Sequence, residues 1–273
     1  MALRDKVVVI TGAARGMGRE YALGFLDEGS RVVATDLSWK GDGAEDVKQS
    51  IEESGHGMAR VMDITKEDDI AQVFGATISA FGTIDVLLNN AGMRQRNLFP
   101  PMGAAKVLEI DMADWRRMFD VNVFGTLQVI RAFIKPMIAQ GYGSIINVST
   151  TGTVPAYYRP RSREQPYMGS KAALTNLSIY LAEEVKEYGV AVNTLFPPHM
   201  QTTGTKEQDI LRKQMNPYFT GASPLHPASV VPLAKFLADQ DASTGVTGET
   251  ITTIEWNLLH GYGSPEAWPP DDD

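Results

Sequence analysis

The sequence predicts an α/β fold: a doubly wound parallel sheet of about seven strands, with helices on both faces, in a single domain. Short, continuous apolar runs alternate with longer segments of helical period, a pattern typical of parallel strands that are buried on both faces. A chain of 273 residues can bury one large core. Because no repeat or linker-like break interrupts residues 1–261, they are predicted to form one domain, followed by an extended tail at 262–273.

Six apolar runs are predicted as strands, and polar residues follow most of them. The runs lie at 7–10, 32–34, 59–62, 84–88, 145–148 and 190–196, and a seventh strand is expected after residues 245–249. Helices are predicted near 19–28, 66–81, 114–139, 166–188 and 227–239. Ligands of such sheets bind beyond the carboxyl ends of the strands, the expected place of Thr11, Asp36, Asp63, Asn90 and Thr150. We favour a binding site there over ordinary turn chemistry, which also uses polar residues.

Composition excludes several classes of function. Lys and Arg number 25 against 33 Asp and Glu, and this net charge of −8 argues against nonspecific nucleic-acid binding. The absence of cysteine excludes disulfides, thiol nucleophiles and Cys-ligated metals, and no metal site is predicted. No apolar run reaches the roughly 18 residues of a membrane span, and the first strand leaves no room for a signal peptide. The prediction is a soluble, cytoplasmic protein.

A glycine-rich loop at residues 11–18 follows the first strand and opens the first helix. Its glycines have the spacing Gly-x-x-x-Gly-x-Gly. Glycines let backbone N–H groups approach a pyrophosphate, and a helix N-terminus adds partial positive charge. A tight strand-to-helix turn without a ligand is the alternative, which the position after the first strand disfavours. The predicted phosphate-binding residues are Gly12, Arg15, Gly16, Met17 and Gly18.

Asp36 ends the second strand and, with Leu37, is predicted to bind the cofactor ribose. A carboxylate there accepts hydrogen bonds from both ribose hydroxyls and repels a 2′-phosphate. Arg15 argues the other way, because it could pair with that phosphate. NAD is favoured over NADP, since a fixed negative charge at the ribose excludes a phosphate more firmly than a surface arginine recruits it.

Tyr167 and Lys171 stand four positions apart, which places them on one face of a helix. A free phenol has a pKa near ~10 and is a poor acid or base at neutral pH. A neighbouring cation lowers that pKa and makes the tyrosine usable for general acid/base chemistry. The alternative is an ordinary solvated helix face in a chain with 9 tyrosines.

Taken with these motifs, the runs 63–65, 89–92 and 121–125 make the chain resemble the short-chain dehydrogenase/reductase family, over about residues 5–260. The resemblance implies a Rossmann-like fold and a hydride transfer between a nicotinamide cofactor and an alcohol or ketone. It also implies a homotetramer, or a dimer, with the helices near 114–139 and 166–188 packed across interfaces. The expected partner of such a protein is a small-molecule substrate.

The resemblance also implies a role for each matching residue. Asp63 and Ile64 would hold the adenine, while Asn90, Ala91 and Gly92 support the cofactor ribose. Pro197, Met200 and Thr202 would flank the nicotinamide. Tyr167, as phenolate, takes the hydroxyl proton. Lys171 lowers the phenol pKa and holds the nicotinamide ribose. Asn122 positions a water that relays the proton outward, and Thr150 orients the substrate oxygen.

Two departures from the family pattern concern the substrate pocket. Where the family usually has serine, the alignment places Thr150, which donates the same hydrogen bond and adds a methyl group. Ser149 is the fallback. Seventeen positions separate Thr150 from Tyr167, about four more than usual, so the intervening loop is longer.

That longer loop is rich in arginine, as is the segment after residue 92. Arg94, Arg159 and three further arginines at positions 96, 161 and 163 are expected near the mouth of the site. In an acidic protein they indicate an anionic substrate such as a carboxylate, with Arg94 as its first ligand and His199 nearby. Solvated loop charges or salt bridges between subunits are the alternative. Residues 199–224 are predicted to form a substrate lid.

Three other functions remain open at this point. One is an NADP-dependent carbonyl reductase of a neutral substrate. Another is a redox-neutral epimerase or dehydratase, which the chain length and glycine spacing disfavour. The third is a non-catalytic nucleotide-binding protein. The set of Asn122, Thr150, Tyr167 and Lys171 disfavours the third, because a binder needs no proton relay.

Overall fold

A computed structural model describes residues 3–41, 43–94, 106–154, 164–202, 224–243 and 245–271. Within these ranges seven parallel strands form one sheet in the order β3-β2-β1-β4-β5-β6-β7. The strands are β1 (Val7–Thr11), β2 (Arg31–Asp36), β3 (Gly57–Val61), β4 (Val86–Asn89), β5 (Gly143–Val148), β6 (Val190–Phe196) and β7 (Thr250–Thr252). The predicted doubly wound, Rossmann-like fold is therefore confirmed.

Helices cover both faces of this sheet. They are α1 (Gly16–Asp27), α2 (Ala44–Glu53), α3 (Glu67–Phe81), α4 (Met112–Phe119), α5 (Thr126–Gln140), α6 (Tyr167–Val185), α7 (Val231–Ala238) and α8 (Thr253–Leu259). Side chains of α1, α2, α7 and α8 pack on one face of the sheet, and those of α3, α5 and α6 pack on the other. None of the helices in the described ranges is long and apolar enough to cross a membrane.

The strands supply both cores because successive side chains point to opposite faces. In β1, Val8 and Ile10 belong to the core under α1, whereas Val7 and Val9 belong to the core under α5. Burial on both faces explains why these strands are continuously apolar rather than alternating. Their register aligns the carboxyl ends, so that Thr11 pairs with Asn89 and Asn89 pairs with Asn147.

The structure differs from the predicted elements at three places. The single helix predicted at 114–139 is two helices, because a wide π-helical turn at Asp120–Gly125 separates α4 from α5. Helix α2 was not predicted, since its ten residues contain few apolar positions. Residues 253–259, for which no helix was predicted, form α8, whose Trp256 packs against Phe236 of α7 with ring centroids 5.2 Å apart.

The tail predicted as extended makes specific contacts. Residues Pro265–Ala267 form a 3-10 turn, and the backbone of Asp271 exchanges two hydrogen bonds with the Gln201 side chain, at 2.9 and 2.6 Å. His226 donates its backbone N–H to the Trp268 carbonyl at 3.1 Å. The last described residues are therefore held against the segments that flank 203–223.

The direction in which successive strands are added to the sheet reverses between β1 and β4. From β1 the chain winds outward through β2 and β3, then crosses to β4 on the other side of β1. The crossover loops diverge at this point and leave a crevice beyond the strand ends, where ligands of doubly wound sheets bind. The loop after β1 and the run 89–92 after β4 border that crevice.

Candidate active site

Three hydrogen bonds pin α6 to the end of β5. Lys171, one turn after the first residue of α6, is buried, and its Nζ donates to the Val148 carbonyl at 2.8 Å. Ser149 Oγ donates to the Lys171 carbonyl at 3.1 Å, and Asn147 Nδ2 donates to Ser178 Oγ at 2.9 Å. The predicted arrangement of Tyr167 and Lys171 on one helix is present, and the sheet fixes the helix that carries them.

A buried polar chain extends this anchor across the sheet. Asn89 Nδ2, at the end of β4, donates to Asn147 Oδ1 at 2.9 Å. Asn147 in turn bonds the α6 residue Ser178, whose hydroxyl donates to the Leu174 carbonyl at 2.8 Å. Because paired polar groups in a dry interior are costly to separate, this chain fixes the position of α6 relative to the central strands.

Asn122 lies in the π-helical turn and is fully buried. Its Oδ1 accepts the Met93 N–H at 2.7 Å, and its Nδ2 donates to the Met93 carbonyl at 2.9 Å and to Ser170 Oγ at 2.9 Å. The extra residue of a π-helical turn redirects a side chain, and such turns are frequent at functional sites. Here the side chain ties the β4 exit to α6.

Gly92 brings Asn122 and Lys171 to the same place. A Cβ atom built on Gly92 would lie 3.2 Å from Asn122 Oδ1 and 3.4 Å from Lys171 Nζ. Any larger residue would push between the amide and the ammonium. The glycine therefore lets the β4 exit, the π-helical turn and α6 meet, which local sequence patterns alone could not establish.

Thr150 and Ser149 face different surroundings at the end of β5. Ser149 is buried, and its hydroxyl contacts Thr175 Oγ1 at 2.8 Å as well as the Lys171 carbonyl. Thr150 is only partly buried, and its Oγ1 accepts the Gly152 N–H at 3.3 Å. Accepting a bond leaves a hydroxyl hydrogen available to donate. Of the two hydroxyls, that of Thr150 is therefore the one that stays partly exposed with a hydrogen to donate.

A cation that the sequence did not predict lies beside the Tyr167 phenol. The Cζ of Arg94 is 5.6 Å from the centroid of the Tyr167 ring. Burial raises the pKa of Tyr167 above its usual range, the Arg94 charge opposes this rise, and Glu164 adds to it. Burial, followed by the nearby Arg94 charge, lowers the pKa of Lys171 to about 8. The expected effect of Lys171 on the phenol pKa stays a prediction.

The glycine loop packs so closely that side chains are excluded. Gly12 has a φ of 69°, and a Cβ on it would lie 2.8 Å from Ala91 Cα. A Cβ on Gly18 would lie 1.9 Å from the Gly12 carbonyl oxygen. Gly16, with a φ of 54°, starts α1, and Met17 packs against the core beneath it.

The N-terminus of α1 fits an anionic group. In the described structure no side chain caps this helix, and its first turn holds no acidic residue. Uncapped N–H groups and the helix dipole both favour negative charge at this position. Because the loop borders the crevice between β1 and β4, the residues present fit a cofactor diphosphate.

Asn90 and Ala91 join the two loops that border the crevice. Asn90 Nδ2 donates to the Gly12 carbonyl at 2.8 Å, and Thr11 Oγ1 accepts the N–H groups of Asn90 and Ala91 at 3.1 and 3.0 Å. These bonds explain why polar residues follow both strands. The run 89–92 is thus a structural neighbour of the glycine loop, as its predicted cofactor role requires.

Asp36 is turned toward the glycine loop. Its Oδ2 accepts the Ala14 N–H at 2.9 Å, while the neighbouring Leu37 side chain is exposed. Arg15 is exposed on the same loop. A carboxylate has more acceptor sites than this single bond uses, so Asp36 retains acceptor capacity for hydroxyl groups.

Asp63 and Ile64 lie at the next strand end. Asp63 Oδ1 accepts two bonds from Thr65, from its N–H at 2.9 Å and its hydroxyl at 2.7 Å. Ile64 is buried, and its Cγ1 would lie 3.0 Å from a Cβ on Gly125 in the π-helical turn. Their predicted contact with adenine stays a prediction.

The segment after β6 lies over the glycine loop. A Cβ on Gly16 would lie 3.2 Å from Thr202 Cγ2. Pro197 and Met200 are buried, and Met200 belongs to the core on the α1 face. His199 is partly buried and accepts the Leu225 N–H at its carbonyl, at 2.9 Å.

Several predicted features lie outside the described residues. These are Arg159, the other loop arginines at 96, 161 and 163, and positions 203–223 of the predicted lid. Conversely, sequence reasoning missed Met93 and Ser170 as partners of Asn122. Both partners bond through groups that any sequence context could supply, a backbone amide and a serine hydroxyl, so no local pattern marks them.

This chain belongs to the short chain dehydrogenase family, whose model matches residues 6–212. It is an oxidoreductase of the kind that acts on alcohols and ketones with a nicotinamide cofactor. It is 44% identical over 279 residues to a fluoren-9-ol dehydrogenase from Terrabacter sp., covering 97% of this chain and 77% of that protein.

Two further similarities extend this comparison. A cis-4-hydroxycyclohexanecarboxylate dehydrogenase from Sinomonas cyclohexanicum is 31% identical over 203 residues, covering 74% of this chain and 76% of that protein. Among solved structures, levodione reductase superposes with a TM-score of 0.76 at 24% identity, covering 91% of this chain and 96% of that chain. The last likeness concerns the fold alone.

Proposed function

We propose that this protein is an NAD-dependent dehydrogenase of secondary alcohols, which also reduces the corresponding ketones. The observation that carries the proposal is the meeting of Gly92, Asn122 and Lys171 beside an uncapped, glycine-rich helix N-terminus. One half of this arrangement suits a dinucleotide, and the other half supplies groups for proton transfer. The homology to a fluoren-9-ol dehydrogenase supports the same reaction class.

Each side chain has a defined task in this proposal. Tyr167 takes the proton of the alcohol hydroxyl, and Thr150 donates a hydrogen bond to the same substrate oxygen. Lys171 holds the cofactor ribose, and Asn122 fixes the β4 exit and helps a water carry the proton outward. The bound nicotinamide supplies the hydride acceptor. Gly12, Gly16 and Gly18 admit its diphosphate, and the loop residues near Thr202 cover it.

Preference for NAD rests on Asp36. Its carboxylate lies at the end of β2 and accepts the Ala14 N–H of the glycine loop, which supports a role for it at the cofactor ribose. A fixed negative charge there disfavours a 2′-phosphate. Arg15 on the same loop favours the phosphate, but as an exposed side chain it costs more to order.

For the substrate we propose a ring-bearing, neutral secondary alcohol. Fluoren-9-ol, named for the relative at 44% identity, is such a compound. Arg94, the predicted carboxylate ligand, lies beside the Tyr167 ring, which gives its charge a partner within the protein. A carboxylate-bearing alcohol is the second candidate, because Arg94 lies beside the phenol and a second relative is named for hydroxycyclohexanecarboxylate.

A panel of alcohols tests both candidates. Fluoren-9-ol, cis-4-hydroxycyclohexanecarboxylate and the amide of that acid are each incubated with NAD and then with NADP, and formation of reduced cofactor is followed by absorbance. Reduction of NAD by fluoren-9-ol, with no preference for the acid over its amide, is the expected result. Product formation without net cofactor reduction would indicate a redox-neutral enzyme, and cofactor binding without turnover would indicate a binding protein.

We extend the proposal to assembly and location. A homotetramer, or a dimer, is the proposed oligomeric state, with outer surfaces of α5 and α6 in the interfaces. A cytoplasmic location stays a prediction from the composition.

A further inference from the structure

Arg94 is the second residue after Gly92, and the residue just before it, Met93, is held by two backbone hydrogen bonds. The Asn122 amide bonds both the N–H and the carbonyl of Met93, at 2.7 and 2.9 Å. Asn122 is itself fully buried and bonded to Ser170 on α6. The start of the Arg94 side chain is therefore fixed relative to α6 by the residue that the family pattern assigns to the proton relay.

The Arg94 guanidinium lies against the candidate base. Its Cζ is 5.6 Å from the centroid of the Tyr167 ring, and its charge favours ionisation of the phenol. A guanidinium is planar, keeps its proton at any working pH and is attracted to aromatic faces. It is therefore a permanent positive charge beside the phenol whose ionisation the reaction needs.

The positive charge of Lys171 at the same site depends on pH. It is buried, and its Nζ bonds the Val148 carbonyl. Burial and the Arg94 charge lower the pKa of Lys171 to about 8, so the ammonium is partly neutral in mildly alkaline solution. Of the charged groups that act on Tyr167, Glu164 opposes ionisation and Arg94 favours it.

We propose that Arg94 is a positioning residue of the reaction, which holds and stabilises the Tyr167 phenolate and thereby sets the pH range of alcohol oxidation. The inference rests on the proposed function. In that reaction the substrate O–H bond breaks as the Tyr167 O–H bond forms, and the C–H electron pair leaves as hydride to the oxidised nicotinamide cofactor. The proton then passes outward to solvent, and Arg94 keeps its own proton throughout.

This role differs from the binding of a substrate carboxylate. A carboxylate ligand affects only substrates that carry an acid group, mainly through KM. A partner of the phenolate affects every alcohol, through kcat/KM and its pH profile. Arginine and lysine also differ here, because a lysine carries the charge without the planar fork.

The test begins with the cofactor-free protein. Ultraviolet difference titration follows tyrosine ionisation, and subtraction of the matching Tyr167→Phe variant isolates one of the 9 tyrosines. Three variants are compared with the wild type: Arg94→Gln, Arg94→Met and Arg94→Lys. Tyr167 is expected to ionise at higher pH in the two uncharged variants, with Arg94→Lys between them and the wild type.

Kinetics with NAD then separate the two roles. For Arg94→Gln we expect kcat/KM at neutral pH to fall roughly tenfold for a neutral alcohol and an acidic one alike, because the rising, acidic limb of the pH profile moves to higher pH. Unchanged Tyr167 ionisation, a loss confined to the acidic alcohol, or failure of both uncharged variants to fold would each overturn the proposal. A wild-type protein without alcohol oxidation would overturn the proposed function, while the titration still decides the Arg94–Tyr167 coupling.

Discussion

At the residue scale, the protonation of the site depends on which groups lie next to each ionisable side chain. Tyr167 and Lys171 share a helix face, yet Lys171 donates its Nζ hydrogen bond to the Val148 carbonyl, and Arg94 lies beside the phenol ring. Burial acts on both groups in the direction that disfavours charge. The ionisation of Tyr167, the proposed base, therefore depends on desolvation and on a cation from a different part of the chain.

The two hydroxyls at the end of β5 should respond differently to truncation. Replacing Thr150 by alanine removes the hydroxyl that is proposed to bond the substrate oxygen, and kcat should fall roughly 10- to 100-fold. Replacing Ser149 by alanine removes bonds to Lys171 and Thr175 and should cost stability more than turnover. Steady-state kinetics and urea unfolding of both variants check this. A nearly normal Thr150→Ala beside an inactive Ser149→Ala would reverse the assignment.

Lys171 should make stability depend on pH. Its pKa is lowered from 10.5 to about 8 in the folded protein, so between these values the unfolded chain binds more protons and stability rises with pH. Below about pH 8 the lysine is protonated in both states and the full penalty for burying its charge remains. Relative to Lys171→Met, the wild type should gain on the order of 2 kcal/mol in unfolding free energy by about pH 10.

The comparison with Lys171→Met cancels the other titrating groups. Urea unfolding of both proteins at several pH values, without cofactor, provides the measurement. Parallel curves for the two proteins would show that Lys171 is not perturbed. The raised pKa of Tyr167 acts mainly above its ordinary value of 10.0, at the upper end of this window.

At the element scale, glycines divide into those that the packing requires and those that it does not. Gly12 and Gly18 let the loop after β1 close upon itself, and Gly92 lets three elements meet. Gly75, by contrast, lies in the middle of α3 and is exposed, and a Cβ added to it would have nothing within 4 Å. Sequence spacing alone does not separate these two kinds of position.

Replacing Gly75 by alanine should stabilise the protein. Alanine favours the helix and reduces the entropy of the unfolded chain, which together are worth about 0.5–1 kcal/mol. The control is Gly189→Ala, where φ is 73° and the new Cβ would lie 2.1 Å from the Gly141 carbonyl oxygen. That variant should lose more than about 1 kcal/mol. The urea unfolding midpoints of both variants provide the measurement, and a destabilised Gly75→Ala would contradict the packing argument.

At the scale of the whole molecule, apolar side chains remain exposed on the outer surfaces of two helices. Phe124, just before α5, and Ile179 and Tyr180 on α6 are 54%, 46% and 65% exposed. Single exposed apolar residues are ordinary, but on helices that are proposed to pack across an interface they can contact a second copy of the chain. These positions agree with the proposed use of α5 and α6 in a homotetramer or dimer.

Charge on this surface should therefore weaken assembly. Ile179→Glu combined with Tyr180→Glu places two unpaired carboxylates where a second copy would pack, and the mass in solution should fall by at least half. Gln72→Glu on the exposed surface of α3 is the control. Sedimentation velocity of the three proteins gives the measurement. A wild-type monomer, or an unchanged mass in the double variant, would contradict this interface.

Local patterns in the sequence determined much of this protein. Continuous apolar runs separated by helical segments predicted the parallel sheet, because a strand that is buried on both faces is apolar at nearly every position. The spacing of Gly12, Gly16 and Gly18 and the pair Tyr167 and Lys171 are likewise local. They predicted the cofactor loop and the base with its neighbouring lysine.

Only the tertiary structure decided which groups act on one another. Asn122 bonds Met93 and Ser170, Gly92 makes room for the amide and the ammonium, and Arg94 lies beside the phenol ring. These contacts join residues tens of positions apart, and electrostatic effects depend on distance and burial rather than on order in the chain. The sequence could propose residues for the site, but their charges and partners follow from packing in three dimensions.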